Sequence, residues 1–147
     1  MSRGIKLTLL GIASLILGLY LYFFERSGFL IFNNIGSEKV LNIFGKLAYN
    51  LPSFLHAFSF SLFSIIILGT KRKWILFSCG FWFLLESAFE LGQLPFFAEK
   101  IISLGFSRYS FIGRYFVYGT FDLLVLLAAF LGASLTLLLF SKELRIS

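Results

Sequence analysis

Four long apolar runs, separated by shorter polar stretches, dominate the pattern of the chain. They lie near residues 7–24, 51–70, 74–93 and 115–140. Each is close to the roughly 20 apolar residues that an α-helix needs to cross a bilayer. The pattern therefore predicts an all-α integral membrane protein, with four transmembrane helices in a single domain over residues 1–147.

Helix-breaking and basic residues mark the limits of the two middle runs. Pro52 suits the first turn of a helix, where its missing N–H would have no partner, and Asn50 can cap the same end. Pro95 predicts that the third helix stops shortly before it. The basic residues 71–73 allow only a tight connection. The second and third helices are therefore predicted to form an antiparallel hairpin.

Two longer connections carry amphipathic patterns. Residues 37–49 place four apolar side chains on one helical face, and residues 94–113 mix apolar with charged side chains. Both patterns predict interfacial segments that lie on the membrane surface in the two long outer loops. These segments either anchor the loops or act as a lid over the polar residues described below.

The composition is typical of a membrane protein, and the basic residues between the apolar runs indicate how the chain is oriented in the membrane. The chain is 59% hydrophobic and 14% charged, whereas a soluble domain has about 25% charged residues. The net charge of +6 comes from residues that punctuate the apolar runs, so we expect membrane lipids as partners and no nucleic acid. The densest basic clusters, near the N-terminus and at residues 71–73, predict that both termini lie in the cytoplasm. Cys79, inside the third run, is predicted to be a packed small hydrophobe.

Five polar side chains interrupt the apolar runs at a similar depth. Glu86, Glu90 and Gln93 are spaced i, i+4 and i+7, on one face of the third helix. His56 and Asp122 lie roughly 7 and 10 Å below the outer surface at 1.5 Å per residue, in the same layer. Charged side chains inside a bilayer cost on the order of 3 kcal/mol, so they are expected to face the bundle interior. The sequence thus predicts an outward-facing polar pocket built from these five residues.

Two carboxylates one helical turn apart repel each other when both are ionised. Either Glu86 or Glu90 is therefore protonated, or a cation, a metal ion or a donor lies between them. His56 and Arg114 are the candidate donors from other helices. Three interpretations stay open: a network that holds the helices together, a ligand site, and a metal site or proton relay. A single histidine is a weak metal signal, and no serine lies in a nucleophile-elbow sequence. We therefore expect no metal or cofactor, and a binding protein rather than an enzyme.

The order of these residues resembles the VanZ-like family of small bacterial membrane proteins. The matching segments are LPSFLHAFSF (51–60), FWFLLESAFELGQ (81–93) and YFVYGTFDLLVLLAAFLGA (115–133). The residues that match the polar positions of the family are His56, Glu90, Gln93 and Asp122, with Glu86 as a further acidic position. Counting back from a glycine in the last helix, Val125 and Ala129 replace the aspartate and asparagine of many family members.

The resemblance implies a protein of the bacterial cytoplasmic (inner) membrane that acts at the cell envelope. The namesake of the family is linked to glycopeptide (teicoplanin) resistance, so the implied ligand is an envelope lipid, a lipid-linked cell-wall intermediate or a glycopeptide. The resemblance also makes Glu90 and Gln93 the expected functional residues and Glu86 a structural one. The alternative is a small accessory subunit, packed by its apolar faces against a protein partner in a larger membrane complex.

Overall fold

A computed structural model describes residues 2–22 and 47–146, and the regular structure in these ranges is helical. The helices are α1 (Arg3–Tyr20), α2 (Leu47–Leu68), α3 (Arg72–Leu91), α4 (Pro95–Ser103), α5 (Phe111–Tyr118), α6 (Leu123–Leu139) and α7 (Ser141–Ile146). Helices α1, α2 and α3 are long and apolar enough to cross a membrane, and α5 and α6 pass the same test together as a bent pair. The chain is therefore an all-α, multi-pass membrane protein, as predicted.

Helix α2 lies at the centre of the bundle, where it packs against α1, α3 and α6. Small residues allow these helices to approach closely, which is how membrane helices commonly associate. A Cβ added at Gly132 of α6 would overlap the backbone oxygen of Phe54 in α2. A Cβ at Gly18 of α1 would lie 3.3 Å from the Cβ of Leu55. The bundle is therefore held by close backbone contacts that larger residues would prevent.

The termini and the α2–α3 hairpin lie at the same end of the bundle. In α1, Gly11 faces Phe63 and Gly18 faces Leu55, so α1 and α2 are antiparallel. The start of α1 therefore lies beside the end of α2, where Gly69 makes the turn to α3 with a φ of 100°. This is a left-handed conformation that glycine adopts at little cost. The predicted antiparallel hairpin is confirmed.

An ion pair joins the first and last helices at this end. Arg3 pairs with Glu143 of α7, and its Nη2 also donates to the Leu139 carbonyl oxygen at 3.1 Å. The hydrogen bond from the Arg3 guanidinium lowers the pKa of the Glu143 carboxyl. Next to this pair, Phe140 belongs to a buried apolar cluster that also contains Cys79. Cys79 is thus a packed small hydrophobe, as predicted.

The predicted continuous helix over residues 115–140 is wrong. Helix α5 ends at Tyr118, the backbone of residues 119–122 is not helical, and α6 begins at Leu123 with a change of direction of 111°. Gly119 is a poor helix former, and Asp122 starts the new helix as its N-cap. These two residues are local signals at the break, a glycine at the end of α5 and an aspartate at the start of α6.

The other helix limits differ less from the prediction. Asn50 and Pro52 lie inside α2 and not at its start, because the helix already includes Leu47. The predicted cap at Asn50 is therefore wrong. Pro52 lacks one backbone N–H donor, and it does so near the N-terminal start of α2. Helix α3 ends at Leu91, shortly before Pro95, as predicted, and Pro95 itself begins the next helix. Residues 23–24 of the first run lie outside the described residues.

Helix α4 forms the first half of the second predicted interfacial segment, residues 94–113. It exposes Phe96 and Phe97, and Lys100 Nζ lies 4.4 Å from the centre of the Phe96 ring. Arg108 donates to Glu99 at 2.6 Å, which ties the following loop to the helix. The mixture of exposed rings and charges fits a segment at the membrane surface. Most of the other predicted segment, residues 37–46, lies outside the described residues.

Candidate functional site

A cavity of about 420 Å³ lies at the end of the bundle opposite the termini and is partly open to the surface. Its volume is in the range of small-molecule sites, about 300–1,000 Å³. The structure brings all five predicted pocket residues into its wall. The described lining residues are Tyr22, Tyr49, Asn50, Pro52, Ser53, His56, Glu86, Phe89, Glu90, Gln93, Phe111, Ile112, Tyr115, Phe116, Thr120, Asp122 and Val125.

His56 and Glu86 face each other across the α2–α3 contact. The His56 Nδ1 atom lies 3.6 Å from Glu86 Oε1, which is an ion-pair distance when the histidine is protonated. Both side chains are partly exposed, at 30% and 23%. The pair is therefore accessible from the cavity. A histidine from another helix is one of the two donors that the sequence predicted for these carboxylates.

An aromatic stack supports this pair from the side of the core. The His56 ring packs edge-on against Phe60, whose ring lies parallel to Trp82 with centres 4.6 Å apart. The Trp82 Nε1–H group donates to Ser64 Oγ at 2.8 Å, which fixes the indole across the α2–α3 contact. The stack therefore connects His56 of the cavity wall to the packed contact between α2 and α3.

Glu90 is tied to the broken helix. Its side chain is buried, with the residue 5% exposed, and its Oε1 accepts a hydrogen bond from the Asp122 backbone N–H at 2.5 Å. The start of a helix leaves backbone N–H groups without intrahelical acceptors and attracts negative charge. Glu86 and Glu90 therefore avoid the predicted conflict by having separate partners, His56 for one and the start of α6 for the other.

Asp122 reaches the site as a helix cap and not as part of a continuous helix face. Its Oδ1 accepts a hydrogen bond from the Leu124 backbone N–H at 2.8 Å. Together with Glu90, it places two carboxylates at the start of α6. The break between α5 and α6 thus supplies both a bond for Glu90 and an acidic wall for the cavity.

Replacing Asp122 with alanine is expected to lower the free energy of unfolding by about 1 kcal/mol, because an N-cap acceptor is lost. Asp122→Asn keeps an oxygen in the same place and should cost clearly less. Thermal unfolding in detergent, followed by circular dichroism, measures both variants. Equal losses in the two variants would contradict the capping role.

Gln93 is positioned by close packing against Gly119. A Cβ added at Gly119 would lie 2.6 Å from Gln93 Oε1 and 2.5 Å from the Tyr115 carbonyl oxygen. The Gln93 backbone N–H donates to the Glu90 carbonyl oxygen at 3.1 Å, so Gln93 lies in the turn that directly follows α3. Gly119 therefore leaves room for the Gln93 amide beside the Tyr115 ring. The glycine serves the site as well as the helix break.

Arg114, the second predicted donor, is not brought to the carboxylates. It lies on α5 with its side chain exposed, and it is absent from the described lining of the cavity. Within the parts of the chain that the structure describes, it forms no ion pair. The adjacent Tyr115 and Phe116 take the inward positions of the same helix.

Aromatic residues are the part of the site that sequence analysis missed. Six tyrosine and phenylalanine side chains contribute to the described lining: Tyr22, Tyr49, Phe89, Phe111, Tyr115 and Phe116. In a chain with 20% aromatic residues, no pattern distinguished these rings from the ones that face lipid. Asn50 was also missed, and its buried Oδ1 accepts no hydrogen bond from a described donor.

The arrangement supplies acceptors and aromatic faces to whatever enters the cavity. Across residues 2–22 and 47–146, no group of three or more His, Cys, Asp or Glu side chains is placed to hold a metal ion. Comparison with known proteins gave no family model, no curated protein and no solved structure that matches this chain.

Proposed function

We propose that this chain is a binding protein of the bacterial cytoplasmic membrane, whose cavity receives the polar head of an envelope lipid. One observation carries the proposal. Polar side chains from α2, α3 and the α5–α6 break line one partly open cavity of about 420 Å³ in an otherwise apolar bundle. The acyl chains of such a ligand would lie against the apolar outer faces of the helices. The proposal places the protein in the VanZ-like family, on the residues that carry the resemblance.

The distribution of basic residues supports an outward-facing cavity. Basic side chains cluster at the opposite end of the bundle, at Arg3, Lys71, Arg72, Lys73, Lys142 and Arg145. Short basic flanks are retained in the cytoplasm. Both termini and the α2–α3 hairpin are thus assigned to the cytoplasmic side. The cavity then lies near the outer surface, where envelope lipids and glycopeptides are found.

Binding fits the side chains better than a purely structural role does. A purely structural network would be closed to solvent, yet the His56 and Glu86 side chains remain 30% and 23% exposed. Glu90, by contrast, is buried against the start of α6 and holds the wall in place. We therefore assign ligand contact to His56, Glu86 and Gln93, and a positioning role to Glu90 and Asp122.

Photo-crosslinking from position 93 in living bacteria tests the proposal. A photoreactive amino acid in place of Gln93 is expected to capture a lipid with a defined polar head, identified by mass spectrometry. The control is the same group at Leu84, which is 66% exposed on α3 and faces bulk lipid. The head-group adduct should be enriched at position 93 by about tenfold.

Identical lipid adducts at the two positions would contradict a specific site. Capture of one membrane protein from position 93 would instead support the accessory-subunit alternative. A Glu86→Gln background adds a further control, because a cavity ligand should lose crosslinking there while the adducts at Leu84 stay unchanged.

A further inference from the structure

The cavity combines acidic groups with aromatic rings. Three carboxylates, from Glu86, Glu90 and Asp122, lie in the wall together with six tyrosine and phenylalanine rings. Among the described lining residues there is no lysine or arginine, and His56 is the one side chain that can become positively charged. In the described part of the wall, acidic side chains therefore outnumber basic ones.

Three of the rings touch one another and present a shared surface. Phe89 of α3 stacks on Phe116 of α5 with centres 6.0 Å apart, and Tyr115 packs edge-on against both. The face of an aromatic ring carries partial negative charge and attracts cations, most strongly where water is excluded. Rings and carboxylates thus favour the same kind of ligand.

An anionic group would meet an unfavourable environment in this cavity. It would approach three carboxylates and the faces of several rings, and His56, the one side chain among the described lining residues that can become positively charged, already has Glu86 3.6 Å away. Asn50 adds a buried oxygen that no described donor fills. A group that carries positive charge and accepts no hydrogen bond suits these features, whether it is a primary ammonium, which also donates to the oxygens, or a quaternary one, which packs its methyl groups on the rings. Ammonium groups have this chemistry.

We propose that the cavity selects an organic ammonium group, such as the terminal amine or quaternary amine of a lipid head, over a neutral or anionic head. This inference rests on the proposed function, since it names the class of head group for the same site. The aromatic corner of Phe89, Tyr115 and Phe116 contacts the methylene or methyl groups around the nitrogen. Glu86 supplies the opposite charge.

Lipids that share a phosphate and acyl chains but differ in the terminal group provide the test. The purified full chain in detergent is titrated with phosphatidylethanolamine, phosphatidylcholine and phosphatidylglycerol of identical acyl composition, and bound lipid is counted by native mass spectrometry. The two amine lipids are expected to bind about tenfold more tightly than phosphatidylglycerol. Because the phosphate is common to all three, the difference reports the terminal group.

Matched variants locate the preference in the cavity. Glu86→Gln keeps the shape of the side chain and should reduce the preference for amine lipids to about twofold. Glu99→Gln removes an acidic group on α4 whose side chain is 59% exposed and paired with Arg108, so it should leave the preference unchanged. Tyr115→Phe retains the ring and should keep the preference, whereas Tyr115→Leu should lower it by about fivefold.

The outcomes separate this inference from the proposed function. If phosphatidylglycerol binds more tightly than the two amine lipids, and if this binding is lost in Glu86→Gln, the ammonium inference is overturned. The cavity would then still be a lipid site. Lipid binding that responds to neither the Glu86 nor the Tyr115 variants would overturn both. If Glu86→Gln fails to fold, the Tyr115→Phe and Tyr115→Leu pair decides the question, since equal preferences in the two would contradict the role of the ring.

Discussion

Replacing Gly132 with alanine is expected to destabilise the bundle by about 2–3 kcal/mol, because overpacking at a close contact displaces backbone. The added Cβ would overlap the Phe54 carbonyl oxygen and lie 3.2 Å from the Phe58 nitrogen, both in α2. These are backbone atoms of a central helix, so they cannot rotate away as a side chain can. The helices α2 and α6 must separate to accommodate one methyl group.

Gly80 offers a matched control for this prediction. It lies inside α3, and a Cβ added there would meet no atom within 4 Å. Gly80→Ala should therefore be neutral or stabilise the protein by up to about 1 kcal/mol through helix propensity. Unfolding by denaturing detergent, followed by circular dichroism, compares the two variants. A similar response at both positions would show that the α2–α6 contact is not close.

Replacing Glu90 with leucine is expected to lower the free energy of unfolding by about 2–3 kcal/mol, since a charged acceptor is lost and a donor is left unpaired. The donor is the Asp122 backbone N–H, at 2.5 Å from Glu90 Oε1. Glu90→Gln retains an oxygen acceptor without the charge and should lose about 1 kcal/mol. A free energy of unfolding that falls from Glu90 to the Gln variant and further to the Leu variant would indicate a hydrogen bond to the start of α6.

Glu86→Gln serves as the control for the Glu90 series. The Glu86 side chain is partly exposed and faces His56 at 3.6 Å. Removing its negative charge should therefore change the free energy of unfolding by less than about 1 kcal/mol. Thermal unfolding and lipid binding are measured on the same samples. Glu90 variants should lose both together, whereas Glu86→Gln should lose binding at nearly unchanged stability. Binding that is lost in Glu90→Gln at full stability would instead assign Glu90 to ligand contact.

This division of roles differs from the one that the family resemblance suggested. The resemblance pointed to Glu90 as functional and to Glu86 as structural. In the structure, Glu90 is the buried residue with a bond across the bundle, and Glu86 is the partly exposed one. Sequence position alone could not separate two glutamates on one helical face, because their difference depends on what lies opposite each of them.

The broken helix shows most clearly where the apolar pattern is insufficient. Residues 115–140 are apolar enough to be one span, and hydropathy does not register a change of direction. The local signals were present, since Gly119 and Asp122 are a helix stop and a helix start three residues apart. In the folded protein, Glu90 and the Gln93 side chain contact the two residues of the break, Asp122 and Gly119.

The sequence by itself determined the membrane class, three of the helices, the tight α2–α3 hairpin and the set of five polar residues that line the cavity. These features depend on local periodicity and on transfer from water, which act residue by residue. The tertiary structure alone decided that the fourth run is broken, that Arg114 lies outside the cavity, and that aromatic rings complete its wall. Those features depend on which side chains face each other across helices, and in a chain this rich in phenylalanine many such arrangements share the same hydrophobic pattern.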